Sequence, residues 1–161
     1  MRIASVRKYE QMISIVPTTL RHIEELGRTM REQDAHEAIS LGYNPADLLL
    51  ISYQSSLMRK TALVNGSVAA CWGVCGMPIG FVGRPWLVTS DEVYKESPFA
   101  YAMIYKDEVR RMAEVFPVLE NYVETSYTQS VRLLKLIGFT MEDPIPLGVN
   151  GEQFTKFRYQ K

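Results

Sequence analysis

The sequence predicts a single α/β domain, with a mixed central sheet of about seven strands and about four helices. Three observations carry that prediction. Two runs rich in β-branched and small apolar residues meet at Asn65-Gly66, and an Asn-Gly pair between such runs marks a tight hairpin, because both turn residues need positive φ. Phe99, Met103, Val109, Met112, Ala113 and Phe116 recur at helical spacing and describe one long helix, opened by Ser97-Pro98 and stopped at Pro117. Strand-like and helix-like segments then alternate through 161 residues, the length of one domain around one core.

Each element has its own signal. Residues 11–16 combine Met12 with alternating β-branched side chains and end at Pro17, a first strand. Thr18 or Thr19 caps the helical region that follows. Leu20, Ile23, Leu26 and Met30 form its buried face, Arg21, Glu24, Glu25, Arg28 and Arg31 its outer face, and Gly42 its stop. Asn44 caps a second, short helix with Pro45 in its first turn, reaching residue 57. The hairpin strands are residues 61–64 and 67–74. Gly73, Gly76, Gly80 and Gly83 with Pro78 lead from them into a strand at 85–89, PWLVT, which leaves through Ser90-Asp91. After the long helix come a short strand at 122–125, a helix at 128–137 stopped by Gly138, and terminal strands at 139–142 and 154–159 joined by a Pro/Gly-rich loop.

Composition removes several function classes. Eighteen basic and eighteen acidic residues cancel, so no overall field gathers nucleic acid or anionic lipid, and no nucleic-acid partner is expected. With 47% hydrophobic and 11% aromatic residues the chain fills a core and is unlike a disordered segment. No window approaches the roughly 18 to 20 continuous apolar residues of a membrane span, and residues 1–9 lack an apolar signal core, so a cytoplasmic protein without a membrane span is expected. Cys71 and Cys75 are four apart on one strand, about 13 Å between Cα atoms, too far for a disulfide; both are expected to be buried thiols. There is no Cys/His spacing of metal-ligand type and no Gly-x-Ser-x-Gly elbow, so neither a metal site nor a serine hydrolase is expected.

The order of strand, two helices, three strands, helix, strand, helix and two strands resembles the GNAT acyltransferase superfamily over nearly the whole chain. Tyr127 to Phe139, YTQSVRLLKLIGF, is similar to the superfamily helix Asn-x-x-Ala-x-x-x-Tyr-x-x-x-Gly-Phe, of which Gly138-Phe139 is kept outright. A narrower resemblance is to the gene-13 internal virion protein family of short-tailed phages. It is carried by PWLVTSDEV at 85–93, NYV at 121–123 and RLLKLIG at 132–138, with MREQDAHEA at 30–38 adding to it. The resemblance implies a phage-encoded protein of GNAT-like fold in the cytoplasm of the infected host, with virion association possible. Its implied cofactor is acetyl-CoA or another acyl-CoA, and its implied partner an amine acceptor or a protein.

The chemistry that resemblance implies makes specific demands. Superfamily enzymes cradle the acyl-CoA pyrophosphate on a Gln/Arg-x-x-Gly-x-Gly loop, whose backbone N–H groups point at the phosphates. Here no glycine stands between Arg84 and Ile137, and the corresponding stretch, Asp91 to Ser97, contributes three carboxylates. The position of the tyrosine that protonates the leaving thiolate is Leu134. Val88, Thr89, Ser90, Ser97, Ser126 and Ser130 are the candidates for the cofactor side, at a strand end where open sheets place ligands. Asp34, Glu37 and Tyr127 are the catalytic candidates. Asp34 and Glu37 share a helix face and serve either as base and amine-binding groups or as a solvated charged face beside Arg31. Tyr127 either bonds a thioester or merely begins its helix, and His36 is read as surface. Two functions follow: an acyl-CoA-dependent N-acyltransferase, or a catalytically degenerate GNAT-like binding or assembly protein acting in virion maturation.

Overall fold

The computed structural model describes residues 13–96 and 98–161. The chain runs β1 (Ile13–Pro17), α1 (Leu20–Thr29), α2 (Glu32–Ser40), α3 (Pro45–Ser55), β2 (Ser56–Val64), β3 (Ser67–Cys75), β4 (Val82–Thr89), α4 (Glu92–Glu96), α5 (Pro98–Val115), β5 (Val118–Glu124), α6 (Thr128–Ile137), β6 (Thr140–Met141), β7 (Ile145–Pro146) and β8 (Gln153–Gln160). One sheet holds all the strands, in the order β1-β2-β3-β4-β5-β8-β6 with β7 on β8. Every pairing is antiparallel except β4 with β5. Asn65 and Gly66 take φ of 51° and 80°, the left-handed pair that the hairpin sequence demands.

Successive strand residues point to opposite faces, and each face is covered by its own helices. Ile23 and Leu26 of α1 and Leu49 of α3 close over Val68 and Cys71. On the other face Tyr101, Tyr105, Val109, Met112 and Phe116, with Ile137 of α6, close over Val74, Leu119 and Phe157. Cys71 is buried and Cys75 half-buried, both free thiols. Among the described residues no helix is long and apolar enough to cross a membrane.

Several boundaries differ from those the sequence suggests. The first helical region is two helices, broken where Met30 (φ −51°, ψ 138°) and Arg31 (φ −58°, ψ 143°) turn extended. Long-range pairing forces the break: Met30 bridges Ser90, and the Arg31 N–H donates to the Thr89 carbonyl at 2.9 Å. Thr19 is the cap, in a box closed by the His22 ring. β2, β4 and β5 begin earlier than their apolar runs because the ladder with neighbouring strands continues through polar residues. The short α4 and β7 are additions. Residues 11 and 12 of the predicted first strand, and Ser97 of the predicted cap, lie outside the described residues.

The feature that makes a site is the early parting of β4 from β5. Their parallel ladder comprises Val82↔Val118 and Gly83↔Leu119. The Ser90 N–H reaches the Ala69 carbonyl of β3, so by alternation Pro85, Leu87 and Thr89 direct their backbone groups away from β3, toward β5. Pro85 has no N–H to give. Its carbonyl is taken by the Asn121 side-chain amide at 2.9 Å, and beyond that bond the two strands separate. Just before it, Gly83 lets the strands close: a Cβ there would meet Phe116 and Val74 side-chain atoms at 2.7 Å. Gly83→Ala is therefore expected to destabilise the fold by about 1–3 kcal/mol, read as a lowered urea midpoint; an unchanged midpoint would mean that Phe116 can give way.

Candidate active site

The parted strands open a cavity of about 610 Å³ that runs through the sheet from one helical layer to the other. On one side it is walled by Glu37, Leu48 and Trp86, on the other by Tyr101, Leu133 and Leu134, with Val88 and Thr89 between. Most of the wall is apolar. Trp86 is fixed by its Nε1–H, which donates to Ser56 Oγ at 2.6 Å.

The polar part is acidic and is carried by α2, which the Arg31–Thr89 backbone bond lays across the end of β4. Asp34 Oδ2 accepts from the Thr89 N–H at 3.1 Å and from Thr89 Oγ1 at 3.0 Å. Burial holds the Asp34 carboxyl above the usual range, an effect the Thr89 bonds and Arg31 oppose. Glu37, one turn on, is pushed up to about 8, first by burial and then by the charge of Asp34; the Glu124 backbone amide opposes this and the Glu124 carboxylate adds to it. Glu37 is thus a base poised near neutrality.

A third carboxylate lies beside this wall, outside the cavity lining. Glu124 ends β5, its side chain is 9% exposed, and His36 Nδ1 lies 3.4 Å from its Oε2. The same Nδ1 is 2.6 Å from Tyr127 Oη, with the two rings edge to face. Burial and the negative charge of Glu124 raise the Tyr127 phenol above its ordinary range.

Asp34 and Glu37 stand on the cavity wall with Val88, Thr89 and Ser130; Tyr127 is outside that lining but close enough to feel both carboxylates. Ser130 Oγ accepts from Gln33 Nε2 at 2.9 Å, a bond that ties α6 to α2. Thr89 is engaged by Asp34. Ser90 is turned inward, its hydroxyl donating to the Val68 and Ala69 carbonyls and accepting from the Glu92 N–H. Ser126 is exposed at the end of β5 and is not part of the cavity wall, and Ser97 lies outside the described residues. Sequence reasoning missed Glu124 and set His36 aside. The available signal was a lone carboxylate closing an apolar strand, NYVE. Among the described residues no group of His, Cys, Asp and Glu is arranged to hold a metal ion.

The slot suits the thioester end of an acyl-pantetheine arm. The Leu87 backbone faces the gap, and apolar walls flank it. The turn after β4 is less suited to a pyrophosphate: Ser90 is committed there, Asp91 and Glu92 add negative charge, and Lys95 pairs with Glu92 at 3.0 Å.

No family model and no curated protein matches the chain by sequence. In three dimensions it is similar to a GNAT superfamily phosphinothricin acetyltransferase from Sinorhizobium meliloti, solved with AcCoA. Identity is 12%, coverage 92% of this chain and 88% of that one, and the TM-score 0.73. An N-acetyltransferase from Staphylococcus aureus gives 12%, 92%, 98% and 0.70. The ribosomal-protein-S18-alanine N-acetyltransferase of Escherichia coli gives 13%, 92%, 94% and 0.64. The chain therefore has the GNAT fold, a single α/β domain on a mixed sheet.

The raised Glu37 carboxyl has a stability consequence whose sign is fixed. Between about 4.5 and about 8 the folded state holds a proton at Glu37 that the unfolded state has lost, so this group makes stability fall as pH rises through that window, and its effect levels off above it. Glu37→Gln is expected to flatten the dependence of melting temperature on pH between 5 and 8 relative to wild type. Parallel profiles for the two proteins would show that Glu37 titrates normally.

Proposed function

We propose that the protein is an acyl-thioester-dependent N-acyltransferase with Glu37 as its general base. The observation that carries this reading is a single one: a base raised toward neutrality faces the gap between β4 and β5. An acyl thioester supplies the activated carbonyl and its leaving group. This chain supplies the rest. Leu87 offers a backbone donor and acceptor at the edge of the gap, Trp86 and Leu134 exclude water, and Glu37 accepts the proton that an acceptor ammonium must lose before its nitrogen can attack. At position 134, where the superfamily helix carries a tyrosine, the side chain is leucine, which has no proton to give the departing thiolate. A thiol of ordinary pKa about 8.5 is a tolerable leaving group without one. The donor proposed is acetyl-CoA or another acyl-CoA, and the acceptor is an amine of a small molecule or protein. The phage resemblance adds the setting of an infected cell, with virion association.

The second reading, a binding or assembly protein that has lost the reaction, draws support from the acidic, glycine-free turn after β4. Thermal melts with acetyl-CoA and longer acyl-CoAs separate the two. At about 100 times the dissociation constant a bound donor adds roughly 2.7 kcal/mol, and thiol release with an amine acceptor should accompany it. Glu37→Gln should keep the melting shift and lose roughly 10²–10⁴ in turnover. Neither shift nor thiol release with any donor would leave the assembly reading.

A further inference from the structure

Glu124 presents a problem of partners. Its side chain is nine-tenths buried, and although the Tyr127 phenol bonds the Glu124 side chain, Oε2 has no hydrogen-bond donor. The ring nitrogen nearest to it, His36 Nδ1, carries at most one proton and lies closer to another oxygen, Tyr127 Oη at 2.6 Å against 3.4 Å. A buried carboxylate oxygen left this way is costly unless something cationic completes it. The His36 side chain that covers it is 59% exposed, so the ring can swing into solvent without unpacking the core.

The two carboxylates on the cavity wall are accounted for differently. Asp34 is tied to Thr89 and sits in the field of Arg31. Glu37 faces the cavity and touches the Glu124 backbone amide. The two remaining acids thus adjoin each other, one on the cavity wall and one behind the exposed imidazole. If Glu37 takes the proton of the attacking nitrogen, it is neutral at that moment and holds no cation, while Glu124 is outside that transfer.

We propose that the acceptor is a dication, an amine carrying a second positively charged nitrogen, whose reacting end lies against Glu37 while its other charge displaces the His36 ring and pairs with Glu124. This deepens the acyltransferase reading by naming the substrate class, and it rests on that reading for the role of the reacting end. The second nitrogen stays protonated through the reaction, because it is held by a carboxylate that takes no part in proton transfer. His36 serves as a replaceable cover for Glu124. A neutral or singly charged acceptor of the same length would leave that oxygen as it is in the free protein.

The test is equilibrium binding without any thioester, by calorimetry at constant pH and ionic strength, with 1,4-diaminobutane and with butylamine as the same-length monoamine. The diamine is expected to bind at least tenfold more tightly. Glu124→Gln, a substitution of nearly equal size, should bring the two amines to within about twofold, mainly by weakening the diamine. His36→Ala, at an exposed position, should tighten the diamine severalfold and leave the monoamine unchanged. Equal affinities in the wild type, a preference that survives Glu124→Gln, or a His36→Ala protein that binds the diamine no better would each overturn the proposal. Acetyl-CoA melts on the same samples keep the two readings apart. A diamine preference without donor binding would remove the acyltransferase and keep the dication site, and donor binding without the preference would do the reverse.

Discussion

Everything that can be called a site in this molecule depends on a hydrogen bond that Pro85 cannot make. A strand in the middle of a sheet ordinarily donates to both neighbours, and a proline there leaves one side without a donor. Because Pro85 faces β5, the loss falls on the one parallel pairing, which has just begun at Val82 and Gly83. Asn121 ties the Pro85 carbonyl from the side, fixing how far the strands have parted at that level. From there the sheet is open, and the cavity that joins its two faces follows.

The open edge would be filled by water were it not roofed by α2. Two backbone contacts, Arg31 to Thr89 and Met30 to Ser90, and the Asp34–Thr89 bonds hold that helix at the strand end. The consequence is electrostatic. Asp34, Glu37 and Glu124 are gathered from two elements, and the charges of Asp34 and Glu124 add to the burial that raises the proton affinity of Glu37. A grouping of this kind suits chemistry in which a proton is handed over near neutral pH. It also suits a partner that brings positive charge with it.

The fold was largely legible in the sequence because its signals are local: Asn65-Gly66, Asn44-Pro45, Gly138 after an apolar helix and the long stripe from Phe99 to Phe116. The break at Met30-Arg31 was not, since RTMREQ, residues 28–33, carries no glycine or proline to stop a helix; the stop comes from pairing with Ser90, sixty residues away in the chain. The site was half legible for the same reason. Asp34 and Glu37 announce themselves by helical spacing, and the strand end at Thr89 by its polar exit. Glu124 and His36 acquire meaning only when β5 is laid beside α2, and Ser90 looks available until its hydroxyl is seen turned into β3.

The way α2 is attached has an evolutionary reach. Its anchor to the sheet at Arg31 and Met30 is made by main-chain atoms, which every residue but proline can supply. Side chains of α2 that bond neither Thr89 nor Ser130, Glu37 among them, are therefore freer to change while the helix stays where it is. A lineage could rewrite the charges facing the cavity, and with them the compounds it accepts, through single substitutions that leave the architecture intact.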